Sequence, residues 1–119
     1  MAVLNSISKL SGEMKEWRRY LHSIPELGFQ EFKTAEFISS KLKKWGIKHE
    51  TKIGKTGIVA VITGNKGDSK KSIGLRADID ALPIEEKNNF EYRSTNVGVS
   101  HKCGHDGHTS LLLGAAKHL

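Results

Sequence analysis

"GIVAVITG", residues 57–64, is a run of mostly β-branched apolar residues with a glycine at each end. A strand with one wet face alternates apolar and polar residues, whereas a strand covered on both faces reads as a continuous apolar run. Residues 58–62 are all apolar, which predicts a strand with a layer on each side, as in a sheet sandwiched by helices. Upstream, "IKHETKI" (47–53) alternates loosely; downstream, "NKGD" (65–68) reads as a turn before "KSIGLRAD" (71–78). Two or three strands are expected from this region.

The flanks supply the helices. Val3, Ile7, Leu10, Met14, Trp17 and Leu21 recur at steps of four and three, one face of a helix, and Pro25 and Gly28 mark its end. Phe32, Ala35, Ile38, Leu42 and Trp45 form a second such face, with Gly46 placed as its left-handed cap and Lys41, Lys43 and Lys44 at its negative end. Both aromatic stripes read as core packing. A polar stretch then leads, through a loop, to "SLLLGAAKHL" (110–119), helical in composition, with Leu111, Leu112, Ala115, Ala116 and Leu119 on its apolar face. No cap signal follows it, so the final residue reads as the middle of an element. The fold class expected is α/β, a mixed sheet flanked by helices.

At 119 residues the chain has the length of one ordinary domain, and 37% hydrophobic with 27% charged residues suits a soluble globular fold. The net charge of +6 is spread over short lysine clusters (41–44, 70–71) without interleaved aromatics, so no nucleic-acid partner is expected. The N-terminal residues alternate in polarity and lack an apolar run, so neither export nor a membrane partner is expected. One cysteine excludes an internal disulfide and suits a reducing, cytoplasmic compartment.

That cysteine lies in "SHKCGHDGHT" (100–109), with three histidines and an aspartate. Cys103 as thiolate and His105 as neutral imidazole are good ligands for a borderline divalent ion such as zinc. Asp106, His101 and His108 are candidates to bind too, or to hold a ligating imidazole in its tautomer. Two readings stay open. Four donors (His101, Cys103, His105, His108) close one ion in a small structural module without catalysis, or the cluster is part of a larger two-metal site that needs more ligands. Asp78 and Asp80, two apart at the end of the last predicted strand, either face the same ion or histidine or cap a turn before Pro83. Glu85 and Glu86 read as an exposed, solvated pair, undistinguished as a general base.

Taken together, "WRRYLHSIPELGFQEFKT" (17–34), "LRADIDALPIEE" (75–86) and "HKCGHDGHTSLLLGAA" (101–116) closely resemble the start of metal-dependent N-acyl-amino-acid amidohydrolases. This is the group of hippurate hydrolase, aminoacylases and the indole-acetyl-amino-acid hydrolases. The resemblance implies that residues 1–119 are the N-terminal part of a catalytic domain, with a lid or dimerisation domain elsewhere. It implies hydrolysis of the amide of an N-acyl amino acid at two divalent ions, Zn2+ or Mn2+. It places Cys103 and His105 as the first two metal ligands, Asp80 as a group orienting a ligand, and Asp78 less definitely beside it. It gives Arg18, His22, Pro25 and Glu26 a structural part in packing the first loop. The catalytic base, a glutamate, and the remaining ligands are expected beyond Leu119, so no catalytic residue is assigned here and the chain alone is expected to be inactive. A homodimer or a complementing C-terminal chain is the expected partner. Where the group commonly has Met and Ala around the first histidine, this chain has Ser100 and Lys102; the Lys102 side chain is expected to point to solvent.

Overall fold

A computed structural model describes residues 3–66 and 70–119. Its elements are α1 (Asn5–Ser23), α2 (Phe32–Lys44), β1 (Lys48–Ile53), β2 (Gly57–Val61) and α3 (His105–His118). The α/β class and the two amphipathic helices are as the apolar spacing predicts.

The core lies where the three helices meet. Trp17 of α1, Ile38 and Leu42 of α2 and Leu113 of α3 are buried together, with Met14, Phe37, Trp45, Ile47, Ile58, Ile79 and Ala116 packed around them. Trp17 and Trp45 rings lie 5.4 Å apart at a tilt, a favourable aromatic arrangement. The apolar stripe of α1 is buried only along its second half; Val3 and Ile7 are exposed.

Local chemistry fixes the ends of α2. The Glu26 carboxylate accepts the Lys33 and Thr34 backbone N–H groups at 3.0 and 2.7 Å, satisfying donors that a helix start leaves open. At the other end Gly46 takes φ +70°. Its N–H bonds the Lys43 carbonyl and that of Ile47 bonds Leu42, the paired closure of a Schellman motif. The cap expected at Gly46 is therefore present.

The sheet departs from expectation. β1 and β2 form a two-stranded antiparallel hairpin, paired Lys48 with Val61 through Ile53 with Gly57. The apolar run is not covered on both faces: Val59 and Val61 are 53% and 67% exposed. Residues 71–78 form no strand, and Ile73 and Leu75 are 89% and 61% exposed. The physical reason is shared: a buried strand needs paired neighbours and a layer on each face, and the described residues supply α2 against the hairpin and no further strand. Of the predicted turn at 65–68, Gly67 and Asp68 lie outside the described residues. A further difference sets up the site: α3 begins at His105, so His105, Asp106 and His108 lie in its first turn, while His101 and Cys103 precede it.

Candidate metal centre

Three backbone pairings bring the site together. Ala81 N–H donates to the Glu26 carbonyl at 2.8 Å, and Leu82 and Ser100 exchange both hydrogen bonds at 3.1 and 3.0 Å. The segment carrying Asp78 and Asp80 is thereby registered against the loop that leads into α3. Gly104 makes the turn at φ +82°, a conformation that costs a side-chain-bearing residue energy, and the next residue is His105. Thr109 of α3 closes the junction by donating its hydroxyl to the Asp78 carbonyl at 3.1 Å.

His105 is held by one nitrogen. Its Nδ1 lies 2.9 Å from both the Asp80 carbonyl and Asp80 Oδ1. Both partners only accept, so Nδ1 carries the proton and Nε2 presents its lone pair. Carboxylate-to-histidine contacts of this kind orient metal-binding imidazoles and raise their basicity. The Asp80 carboxylate is thus turned to His105. His105 Nε2 faces Asp78 Oδ2 at 3.6 Å, too long for a hydrogen bond. Asp78 Oδ1 pairs instead with Arg76. Asp78, His105 and His108 offer ligand atoms that all lie within 4.8 Å of one another.

Cys103 is exposed and stands outside that group of three. His101 is buried, and both of its ring nitrogens lack a hydrogen-bond partner. Burial, opposed by the nearby Asp106 charge, lowers its pKa and keeps the ring neutral. The structure thus brings His105 and His108 together with Asp78; His101 and Cys103 do not converge on them.

A second, buried cluster backs the first. His22 Nδ1 lies 2.7 Å from Asp106 Oδ2, and its Nε2 lies 2.7 Å from Glu86 Oε2. Arg18 Nε adds a 2.9 Å contact to the same Asp106 oxygen. Lys102 Nζ and Asn88 Nδ2 each donate to Glu86 Oε1 at 2.6 Å. Phe90 and Tyr92, stacked at 4.1 Å, flank the His22 ring. Burial alone would raise the Glu86 carboxyl, but the hydrogen bonds from Lys102, His22 and Asn88 outweigh it and bring the pKa down to about 2.

This cluster corrects three expectations. Glu86 is 7% exposed, not solvated, and Glu85 accepts the Gly98 N–H at 2.6 Å. The Lys102 ammonium is held by Glu86 rather than left to solvent. Pro25 and Glu26 do pack the first loop, whereas Arg18 and His22 reach across to the first turn of α3. The available signal was Arg18 and His22 at i and i+4 on one helix face; their acidic partners are 64 to 88 residues away in sequence and could not be read from it.

The sequence model of "Peptidase family M20/M25/M40" matches residues 74–119, the stretch with both aspartates and the cluster. A Bacillus subtilis structure described as a dinuclear metal-binding peptidase of family M20 superposes with a TM-score of 0.87 at 40% identity, over 94% of this chain and 31% of that one. The chain is similar to peptidases of the M20 family. Among its M20 relatives, the hippurate hydrolase of Campylobacter jejuni is 50% identical over 119 residues, all of this chain and 30% of that protein. An N-acyl-L-amino acid amidohydrolase of Geobacillus stearothermophilus is 47% identical over 115 residues, 93% of this chain and 30% of that protein. The chain therefore spans about 30% of the length of these M20 relatives and corresponds to part of the M20 catalytic domain.

No helix among the described residues is long and apolar enough to cross a membrane. The donor set (imidazole, thiol, carboxylate) suits a borderline divalent ion, and the Asp80 contact leaves His105 Nε2 ready to ligate one. By donor chemistry the residues fit a metal.

Proposed function

We propose that this chain supplies part of the catalytic domain of an N-acyl-amino-acid amidohydrolase, with Cys103 and His105 as ligands of a two-ion centre. The observation that carries the reading is the His105 contact to Asp80, which fixes the proton on Nδ1 and leaves Nε2 as a donor. The names of the M20 relatives from Campylobacter and Geobacillus supply the substrate class.

Each residue has a physical task. Asp80 orients His105 and increases its electron donation. The Asp106, His22 and Glu86 chain fixes the first turn of α3, and so the height of His105 above the Asp78–Asp80 segment. A divalent ion such as Zn2+ or Mn2+ held by these residues would supply Lewis acidity toward an amide carbonyl. A general base and further ligands come from outside residues 1–119, and the chain alone does not turn over substrate. A homodimer or a complementing C-terminal chain is the partner. The compartment is cytoplasmic, where a free, exposed thiol such as Cys103 stays reduced.

The test is a chimera in which residues 1–119 replace the matching segment of the Campylobacter hippurate hydrolase. Hippurate turnover with added Zn2+ or Mn2+ is expected, lost on His105→Ala; the 119-residue chain alone should show none. A folded, metal-loaded chimera without turnover overturns the substrate reading. Turnover by the chain alone overturns the claim that other residues complete the centre.

A further inference from the structure

Phe29 is held in a backbone conformation that bulky side chains rarely adopt. Its φ is +64°, in the left-handed region where a Cβ crowds its own peptide and glycine is the usual occupant. The cause is a tight turn: the Gln30 N–H bonds the Leu27 carbonyl at 2.9 Å, with Gly28 and Phe29 between them. A turn with positive φ at its third residue calls for glycine there. Here glycine stands one position early, at Gly28, and phenylalanine takes the strained place.

The surroundings enforce that strain. On one side the Ala81 N–H donates to the Glu26 carbonyl at 2.8 Å, and Leu27 bridges to Ala81. On the other, the Glu26 carboxylate is anchored on the first turn of α2. Packing does not explain it, because Phe29 is 65% exposed and takes no part in the core. A single exposed apolar side chain is ordinary, but one exposed on a strained backbone is not, and such strain gathers at ligand-binding positions.

The place of the turn indicates the ligand. A methyl group at Gly28 would stand 4.0 Å from Asp80 Oδ2, the second oxygen of the carboxylate whose Oδ1 holds His105. Phe29 is thus an exposed aromatic residue adjoining backbone that lies against the candidate centre. A substrate whose amide reaches His105 has two ends, an acyl group and an amino acid carrying a carboxylate. The Asp80 charge repels a carboxylate on this side, whereas an aromatic ring favours apolar surface. The acyl end is the one that suits this turn.

We propose that Phe29 sets acyl-group specificity, its ring forming an apolar wall that favours aromatic acyl groups over acetyl. The assignment rests on the amidohydrolase reading above and adds a residue that selects among N-acyl amino acids. Phe32 provides the comparison: it is 58% exposed, but lines a groove on the hairpin side of α2 with Thr51, Lys52 and Thr56.

The experiment measures kcat and KM of the chimera carrying residues 1–119 on N-benzoylglycine and N-acetylglycine. Phe29→Gly, which relieves the backbone strain, should lower the benzoyl-to-acetyl ratio of kcat/KM by about tenfold, the scale of one aromatic contact in an apolar pocket, with the change carried by KM. Phe29→Tyr, which keeps the ring, should retain the ratio, and so should Phe32→Ala. Urea midpoints check that each variant folds. A ratio unchanged in Phe29→Gly, or a loss falling equally on both substrates, overturns the assignment and leaves the amidohydrolase reading standing. An equal shift in Phe32→Ala overturns it too, since any exposed aromatic would then serve. A folded, metal-loaded chimera that turns over neither substrate overturns the amidohydrolase reading and this assignment with it.

Discussion

His22 and His105 sit on two sides of the same helix start and are held in opposite ways. The His22 ring is buried, with a carboxylate 2.7 Å from each nitrogen. The His105 ring is partly open, fixed through Nδ1 alone, with Nε2 facing a carboxylate oxygen at 3.6 Å. One ring has no bonding capacity left and the other keeps a lone pair. Full engagement makes a histidine a strut; engagement at one nitrogen leaves it able to ligate. His101 is a third case, buried with neither nitrogen bonded, an arrangement that costs free energy.

The sharpest way to break this comparison is to remove a carboxylate from the strut. Glu86→Gln strips His22 and Lys102 of a buried partner and should cost about 3 kcal/mol, as losses from buried ion pairs do, read as a lower urea midpoint. An unchanged midpoint would mean that the cluster is not structural.

Acid probes the same residue. The folded-state pKa of Glu86 is lowered from 4.5 to about 2, so its contribution is fully present above about pH 4.5 and is lost as pH falls toward 2. The amount at stake is on the order of 3 kcal/mol. In Glu86→Gln the stability profile between pH 4.5 and 2 should be flatter than in the unmutated chain; parallel profiles would place the titration elsewhere.

Asp80→Asn tests the ligand side. It keeps the shape but weakens the hold on the His105 proton, and should reduce Zn2+ affinity by about tenfold with little loss of fold stability. Equal affinity would show that Asp80 merely packs there. The smallest effect belongs to His108→Asn: the side chain is exposed, and stability should change by less than about 0.5 kcal/mol. A larger loss would make His108 part of the strut.

Much of this was legible in the sequence because it depends on near neighbours. The stripes of α1 and α2 follow from steps of three and four, and the α2 stop follows from Gly46, whose closure involves only Leu42 through Ile47. What failed depends on distant partners. Residues 71–78 have strand composition but no ladder to join. Glu86 looks like a surface acid until His22 and Lys102 are placed against it. The early start of α3 was hidden because Gly104, Asp106 and Gly107 are poor helix formers, while the Asp106 side chain is fixed by residues of α1. At the metal cluster, residue types suggested ligation; which ones meet was decided by the Asp78–Asp80 segment lying under α3.

The hairpin carries a practical consequence. β1 is polar from Lys48 to Lys52, its lysines discouraging approach, whereas β2 shows Val59 and Val61 to water beside an open backbone edge. Such an edge is a template on which a second chain can add a strand. Concentrated samples of this polypeptide should therefore associate through β2, and a charged residue at position 61 is the change that would keep them dispersed.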